Sequence, residues 1–215
     1  MPATEATRPK LRKDAQKSVE KLTAAAIELF AERGLSCPLD EIAHRAGVSR
    51  GTLYHRFGSR EALIDAVVPD LAAAKLDRVL AHAESQPDPW ARFVDYVEKI
   101  SEMIAGDLAL SDAVTRRIAD TPRLSAVCEA AIERGNGYAR AAQAVGELRA
   151  DFTPEDFILL FTASTAHARA AADGAPEIWR RGLAFMLDGL RATAASPLPV
   201  EPLSPANARA ALHSG

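Results

Sequence analysis

The stretch DEIAHRAGVSRGTLYHRFGSREAL, residues 40–63, places six Arg and His residues around a short, regular apolar pattern. The pattern starts one residue earlier and recurs at i, i+3, i+4 and i+7, with Leu39, Ile42, Ala43 and Ala46. Such spacing predicts one amphipathic helix, which Gly47 ends. Ser49 is the predicted N-cap of a further helix, which ends at Gly58 and whose Leu53 faces the same core.

A longer helix is expected before this pair. Apolar residues at helical spacing predict it from about Asp14 to Glu32, with Gly34 as its stop. Two short helices joined by a tight glycine turn and supported by a third form a helix-turn-helix arrangement. We therefore expect an all-α chain in which residues 14–58 form a three-helix head. Residues 1–13 are expected as a flexible basic arm, either a solubilising tail or a minor-groove reader.

The side chains away from the apolar stripe are directed outward by the same geometry. A protruding helix with cationic and hydroxyl groups suits the major groove of DNA, where Arg can pair with guanine and phosphate contacts fix the orientation. The expected DNA-binding residues are Arg45, Ser49, Arg50, Gly51, Thr52, Tyr54, His55, Arg56 and Arg60. For Arg45, Arg56 and Arg60, an ordinary solvated surface is the alternative interpretation.

Charge divides the chain in the same way. Residues 1–60 hold 11 Lys and Arg against 7 Asp and Glu, whereas the rest of the chain holds 15 against 22. A basic front end on an acidic body favours a polyanionic partner for the front end alone. No apolar run is long enough for a membrane span, and Cys37 and Cys128 lack disulfide or metal-ligand spacing. A cytoplasmic protein is therefore expected.

The sequence lacks the groupings that enzymes use. It contains no Ser-His-Asp or Cys-His arrangement in a plausible frame, no metal-ligand spacing and no Gly-rich phosphate loop. An enzyme is therefore not expected, and neither is a cofactor or a metal. Convergence of scattered His and Asp residues in the fold would reverse this expectation.

A series of helices is expected after the head. The fourth helix starts at the Ser59 cap and contains Pro69, where it should kink or split, either as a hinge that transmits ligand binding or as a simple bend. Further helices are expected at about 89–105, 107–120, 122–145, 154–173 and 176–195, with Gly135-Asn136-Gly137 as a candidate break. Residues 59–195 would form a helical body, and the proline-rich residues 196–215 an extended or disordered tail.

The body offers candidates for a ligand pocket and for a dimer seam. Apolar side chains with a few polar groups suit a pocket between helices, and the candidates are Phe93, Tyr96, Ile100, Met103, Asn136, Tyr138, Phe161, Ser164 and His167. Ordinary core packing is the alternative for most of them, His167 included. A four-helix seam between two copies is predicted from small and apolar residues on the last two helices: Ala168, Trp179, Leu183, Met186 and Leu190. Packing within one chain is the alternative.

Longer runs of the sequence resemble one known family. LDEIAHRAGVSRGTLYHRFGSREALI, at 39–64, resembles the DNA-binding motif of the TetR family of bacterial transcriptional regulators, and AAIELFAERG, at 25–34, resembles its first helix. LRADFTPEDF, at 148–157, and WRRGLAFMLDGLR, at 179–191, resemble the last two helices of actinobacterial-type members.

The resemblance implies a homodimer whose heads bind a double-stranded operator, whose bodies receive a small-molecule effector and whose last two helices form the interface. It also implies that Tyr54 and Arg60 lie at phosphate, and that Thr52 and His55 lie at the groove. Pro38 departs from the family pattern, which often has a backbone-contacting Thr there. The expected function is a ligand-responsive regulator, a repressor that the ligand releases from DNA; a body that dimerises without a ligand is the alternative.

Overall fold

The computed structural model describes residues 7–116, 118–170, 174–175, 177–204 and 206–207, with side chains from Gln16 onward except that of Ala170. As predicted, these residues form an all-α fold. The helices are α1 (Thr7–Arg33), α2 (Leu39–Arg45), α3 (Arg50–Phe57), α4 (Arg60–Glu84), α5 (Pro89–Ala105), α6 (Leu108–Thr115), α7 (Pro122–Ala144), α8 (Phe157–Ala170) and α9 (Ile178–Leu190). Short 3₁₀ turns lie at Pro154–Asp156, named η1, and at Ala192–Ala194, named η2.

Helices α1 to α3 pack into the predicted head. Its fully buried side chains include Leu22, Phe30, Ile42 and Leu53, and the predicted stripe of Leu39, Ile42, Ala43 and Ala46 is buried throughout. Gly47 adopts left-handed backbone with φ 67°, which most side chains disfavour, and so turns the chain toward α3. Ser49 caps α3, because its Oγ accepts the Thr52 N–H at 3.1 Å. The predicted turn and cap are confirmed.

The N-terminal boundary of the head differs from the prediction. α1 begins at Thr7 instead of Asp14, so residues 7–13 of the expected flexible arm are helical. Lys, Arg and Leu favour helices, and Pro9 falls in the first turn, where the backbone N–H groups have no intrahelical partner. Residues 1–6 of the predicted arm lie outside the described residues.

The body is built around α5, which contacts α4, α6, α7, α8 and α9. Its bounds match the prediction, but α6 ends at Thr115 instead of near residue 120, because Arg116 adopts extended backbone. The helix predicted at 154–173 starts as η1, where the Asp156 carboxylate accepts the Thr153 N–H at 2.8 Å; its last residues, 171–173, lie outside the described part. After η2, residues 195–204 run on without helix, whereas Ala206 and Asn207, also in the predicted tail, are helical.

Helix α7 runs unbroken through Gly135-Asn136-Gly137, so the candidate break is wrong. Gly135 is required there by its neighbour on α5, since a Cβ at Gly135 would lie 2.7 Å from Cε1 of the Tyr96 ring. The Tyr96 ring is held in place because its hydroxyl donates to the carbonyl oxygen of Ala131 at 2.7 Å. The glycine therefore permits a close approach of α5 and α7.

Pro69 does not split α4, which is one continuous helix. A proline at this position leaves the Asp65 carbonyl without its helical N–H donor. In this fold Nη1 of Arg123, in the first turn of α7, donates to that carbonyl at 3.0 Å, and the Asp65 carboxylate accepts the Leu124 N–H at 2.9 Å. The proline site is thus tied to the start of α7, which favours a fixed bend over a loose hinge.

The connection between α1 and α2, residues 34–38, is held from two sides. Arg60, the first residue of α4, donates to the carbonyl oxygens of Leu35 and Cys37 at 3.0 and 2.6 Å. From α6 in the body, Asp112 Oδ2 accepts the Leu35 N–H at 2.8 Å. We call these three hydrogen bonds the Leu35 clamp. Gly34, with φ 79°, leaves room for it, because a Cβ there would lie 2.5 Å from Asp112 Oδ2.

Two glycines of α7 predict opposite effects of the same substitution on stability. Gly135→Ala should lower the free energy of unfolding by about 1–3 kcal/mol, because the new methyl group must displace the bonded Tyr96 ring. Gly137→Ala, where no atom lies within 4 Å of the new Cβ, should raise it by up to about 1 kcal/mol. Urea denaturation of both variants measures the difference; a destabilised Gly137→Ala or a neutral Gly135→Ala would contradict this packing.

Candidate nucleic-acid interface and body cavity

Helix α3 presents one face to solvent and the other to the head core. Leu53 is fully buried, while Tyr54, His55 and Arg56 are exposed. Thr52 is half-buried, and its hydroxyl lies 2.9 Å from the Ser49 hydroxyl, so both groups are engaged in the N-cap. Of the predicted outward set, Arg50, Tyr54, His55 and Arg56 therefore lie together on the exposed side of α3, whereas Arg45 lies on α2 and Arg60 on α4.

Two of the predicted arginines are held loosely by carboxylates of the head. Arg45 lies 3.2 Å from Glu28, and Arg50 lies 3.1 Å from Asp40 and 5.4 Å from the centre of the Tyr54 ring. Exposed ion pairs of this kind stabilise a fold by about 0–1 kcal/mol, so phosphate or a base edge can replace the carboxylate at little cost. Arg56 has no hydrogen-bond or ion-pair partner among the described side chains.

Arg60 departs from its predicted role. Its side chain is half-buried and donates to the two carbonyls of the Leu35 clamp, so the guanidinium expected at phosphate is engaged inside the head. A planar guanidinium at the start of α4 reaches both carbonyls of the preceding connection. The sequence motif could not show this, because the partner carbonyls lie 23 and 25 residues away along the chain.

The body contains a cavity of about 440 Å³ between α4, α5, α6, α7 and the start of α8. Tyr96, Ile100, Met103 and Phe161 line it, as predicted. Its walls are largely apolar, and they include Leu76, Leu110, Val114, Leu124, Val127 and Phe157. A cavity of this size and composition suits a small apolar molecule.

Five predicted pocket residues do not line this cavity. Phe93 is buried in an aromatic core, with its ring centre 5.5 Å from that of Phe152, and the Tyr138 ring centre lies 5.5 Å from that of Tyr96. Ser164 is buried and donates to the carbonyl of Leu160. The remaining two are Asn136, which is buried elsewhere on α7, and His167, which is exposed and covers Gly182 of α9. Residue type alone could not tell these positions from true lining.

Several lining residues were missed from the sequence. On α7 they are Ser125, Cys128, Glu129 and Ile132, and elsewhere Arg116, Thr121 and Glu155. The α7 residues share one helical face, so the helical period of that segment could have revealed them. Arg116 and Glu155 lie outside regular α-helix, and their position depends on the fold.

Three polar groups that line the cavity are already hydrogen-bonded to the backbone. The Tyr96 hydroxyl donates to Ala131, the Thr121 hydroxyl to Ile118 at 2.8 Å, and the Cys128 thiol to Ala113 at 3.6 Å. Burial, together with the nearby Glu129 charge, raises the pKa of Cys128 to about 11. Because thiolates are the reactive form of cysteine, this thiol is unreactive at neutral pH.

The predicted dimer residues divide between the interior and the surface. Trp179 and Leu183 are buried in their own chain, so the strongest apolar stripe of α9 packs inward, as the alternative interpretation held. Ala168, Met186 and Leu190 are half-buried. The large apolar side chains that α8 and α9 leave exposed are Leu159, Ile178 and Phe185.

Two family models match the chain. Residues 22–67 match the bacterial regulatory proteins of the tetR family, and residues 88–192 match the C-terminal domain of SbtR-like transcriptional regulators. A helix-turn-helix head joined to a helical body is typical of one class of protein, the DNA-binding regulators. The chain belongs to the TetR family of transcriptional regulators. These proteins are not enzymes, which agrees with the expectation from the sequence.

Curated relatives match the N-terminal part of the chain. It is 36% identical over 72 residues to the regulator YvdT of Bacillus subtilis, covering 33% of this chain and 37% of YvdT. It is 35% identical over 88 residues to the regulator UidR of Escherichia coli, covering 40% and 42% of the two chains. A transcriptional repressor of Mycobacterium tuberculosis is 35% identical over 95 residues, covering 44% and 48%. The chain therefore spans less than half the length of these relatives.

Solved structures share the fold over most of the chain. The structure of reduced NemR from Escherichia coli has a TM-score of 0.59 at 18% identity, covering 83% of this chain and all of NemR. FadR of Bacillus subtilis in complex with stearoyl-CoA has a TM-score of 0.61 at 15% identity, with the same coverage. None of the described helices is long and apolar enough to cross a bilayer.

Proposed function

We propose that the protein is a cytoplasmic repressor that binds a palindromic operator as a homodimer and leaves it when a small molecule occupies the body cavity. The observation that carries this proposal is the pairing of an exposed, cationic α3 with an apolar cavity in one chain. The head contacts the DNA, and the body binds the small molecule that releases it.

The DNA part of the proposal is supported by the geometry of α3. Arg50, Tyr54 and Arg56 all lie on its exposed side, within a head that is more basic than the body. An isolated helix contacts only a few base pairs, so operator-length specificity requires a second head related by two-fold symmetry. A repressor role is supported by the name of the Mycobacterium tuberculosis relative.

The ligand part of the proposal is supported by the cavity and by one structural neighbour. FadR, which shares the fold, was solved with stearoyl-CoA bound. In the present chain, α6 forms part of the cavity wall and also carries Asp112 of the Leu35 clamp. A ligand that displaces α6 would therefore move the contact between body and head.

The dimer part of the proposal rests on the exposed face of the last two helices. Leu159 on α8 and Ile178 and Phe185 on α9 are large apolar side chains at the surface. Thr162 and Ala166, on the same side of α8 as Leu159, are small and exposed, so a second copy can approach closely. Burying these side chains in a four-helix seam would remove apolar surface from water.

Removing Arg50 should weaken DNA binding, whereas removing an equally exposed arginine of the body should not. Arg50→Ala is expected to cost about 1–3 kcal/mol if the side chain contacts a base edge, and less if it contacts phosphate alone. Arg140→Ala is the matched control, since Arg50 and Arg140 are each 63% exposed and each pairs with one carboxylate.

Fluorescence anisotropy across a salt series measures both variants on a labelled duplex that the wild type selects from a random pool. Affinity should fall steeply with salt. If the wild-type protein has no affinity for any duplex at low salt, the proposal is wrong. If both variants lose the same amount of affinity, α3 does not contact the DNA.

Phe185→Glu should convert the dimer to monomers, because it places a charge in the proposed seam. Val145→Glu is the control: Phe185 is 63% exposed and Val145 55% exposed, but Val145 lies at the end of α7. Sedimentation velocity measures the outcome. A monomeric wild type, or a fully dimeric Phe185→Glu variant, would show that the interface is elsewhere.

A further inference from the structure

The ligand cavity is apolar inside and charged at its open end. The hydroxyl groups of Tyr96 and Thr121 and the thiol of Cys128, which line it, already donate to backbone carbonyls. Three charged side chains remain in the lining: Arg116, Glu129 and Glu155. The chemical class of the ligand therefore depends on which of these charges is left without a partner.

Arg116 has a carboxylate partner within the protein. Its Nε lies 3.6 Å from Oδ1 of Asp112, a carboxylate whose side chain is only 6% exposed. A buried carboxylate holds a nearby guanidinium more strongly than a solvated one does, because water screens the pair less. The same oxygen lies 3.1 Å from Arg169, so Arg116 has a carboxylate partner that it shares with a second guanidinium group.

Glu129 and Glu155 have no such partner among the described residues. Neither carboxylate has a hydrogen bond or an ion pair with any side chain in the described part of the chain. Glu129 is exposed on α7 and Glu155 is half-buried in η1, so two different elements bring them to the cavity. Near them Ile132 and Pro154 line the same cavity and are exposed, which places this pair of carboxylates at its open end.

We propose that the cavity binds hydrophobic monocations, with the apolar part of the ligand among the α5, α6 and α7 side chains and its ammonium group between Glu129 and Glu155. The proposal rests on the ligand-controlled regulator proposed above and specifies its ligand class. An apolar chain or ring system fills the largely apolar walls, and the two uncompensated carboxylates favour a cation over an anion of the same shape.

The Cys128 thiol lies close enough to Glu129 to be affected by its charge. Its pKa is raised first by burial and then by the charge of Glu129. The Glu129 carboxylate thus acts on the cavity wall itself. A ligand carboxylate placed at the same end would meet the same repulsion.

Three ten-carbon probes of different charge test the ligand class on DNA-free protein: decylamine, which is a cation at pH 7, 1-decanol and decanoate. Isothermal titration calorimetry should show decylamine binding about tenfold or more tightly than decanoate, with 1-decanol between them. The Glu129→Gln/Glu155→Gln double variant should bind decylamine about as weakly as 1-decanol. Glu201→Gln, which removes a carboxylate from the exposed tail, should leave the preference unchanged.

Equal or tighter binding of decanoate, a cation preference that survives in the double variant, or no binding of any probe would overturn the proposal. Thermal unfolding of the double variant checks that it is folded. The duplex-binding measurement with wild type separates a failure of the ligand class from a failure of the proposed regulator function. Protein that binds duplex DNA without preferring decylamine refutes the ligand class alone, whereas a decylamine preference without DNA binding refutes the regulator.

Discussion

The hydrogen bond from the Leu35 N–H to the Asp112 carboxylate is the contact on which the relation of head and body depends. The two residues lie 77 positions apart, and the oxygen and nitrogen are 2.8 Å apart in a buried site. The other carboxylate oxygen faces Arg169 of α8 at 3.1 Å and Arg116 at 3.6 Å. A buried carboxylate is stable only with such partners, so α6, α8 and the connection after α1 are held together by one side chain.

This contact also connects the wall of the cavity to the head through one helix. Leu110, Ala113 and Val114 of α6 line the cavity, while Asp112 of the same helix holds Leu35. Arg60 holds the same connection from α4, so a shift of either helix acts on the segment that leads into α2. The proline of α4 has a different role, because Arg123 donates to the carbonyl that Pro69 leaves without a donor and so ties this turn of α4 to α7.

The head could be predicted from the sequence because its signals are local. The stripe of α2, the left-handed Gly47 and the Ser49 cap each act within a few residues, and all three are confirmed. In the body, contacts between residues far apart in the sequence decide which neighbour covers each helical face. The i, i+4 stripe of α9 was assigned to a partner but packs in its own chain, and four cavity residues were found while Arg116 and Glu155 were missed. Apolar spacing shows which residues share a face, but not which neighbour covers that face.

Hydrogen exchange at the Leu35 amide, compared between wild type and Asp112→Ala, tests the central claim most directly. The carboxylate is the acceptor of this N–H, so its removal should speed exchange at Leu35 by about tenfold or more. The Gly58 amide, which donates to the Tyr54 carbonyl at 2.8 Å, should keep its protection and show that the head stays folded. An unchanged exchange rate at Leu35 in the Asp112→Ala variant would contradict the account.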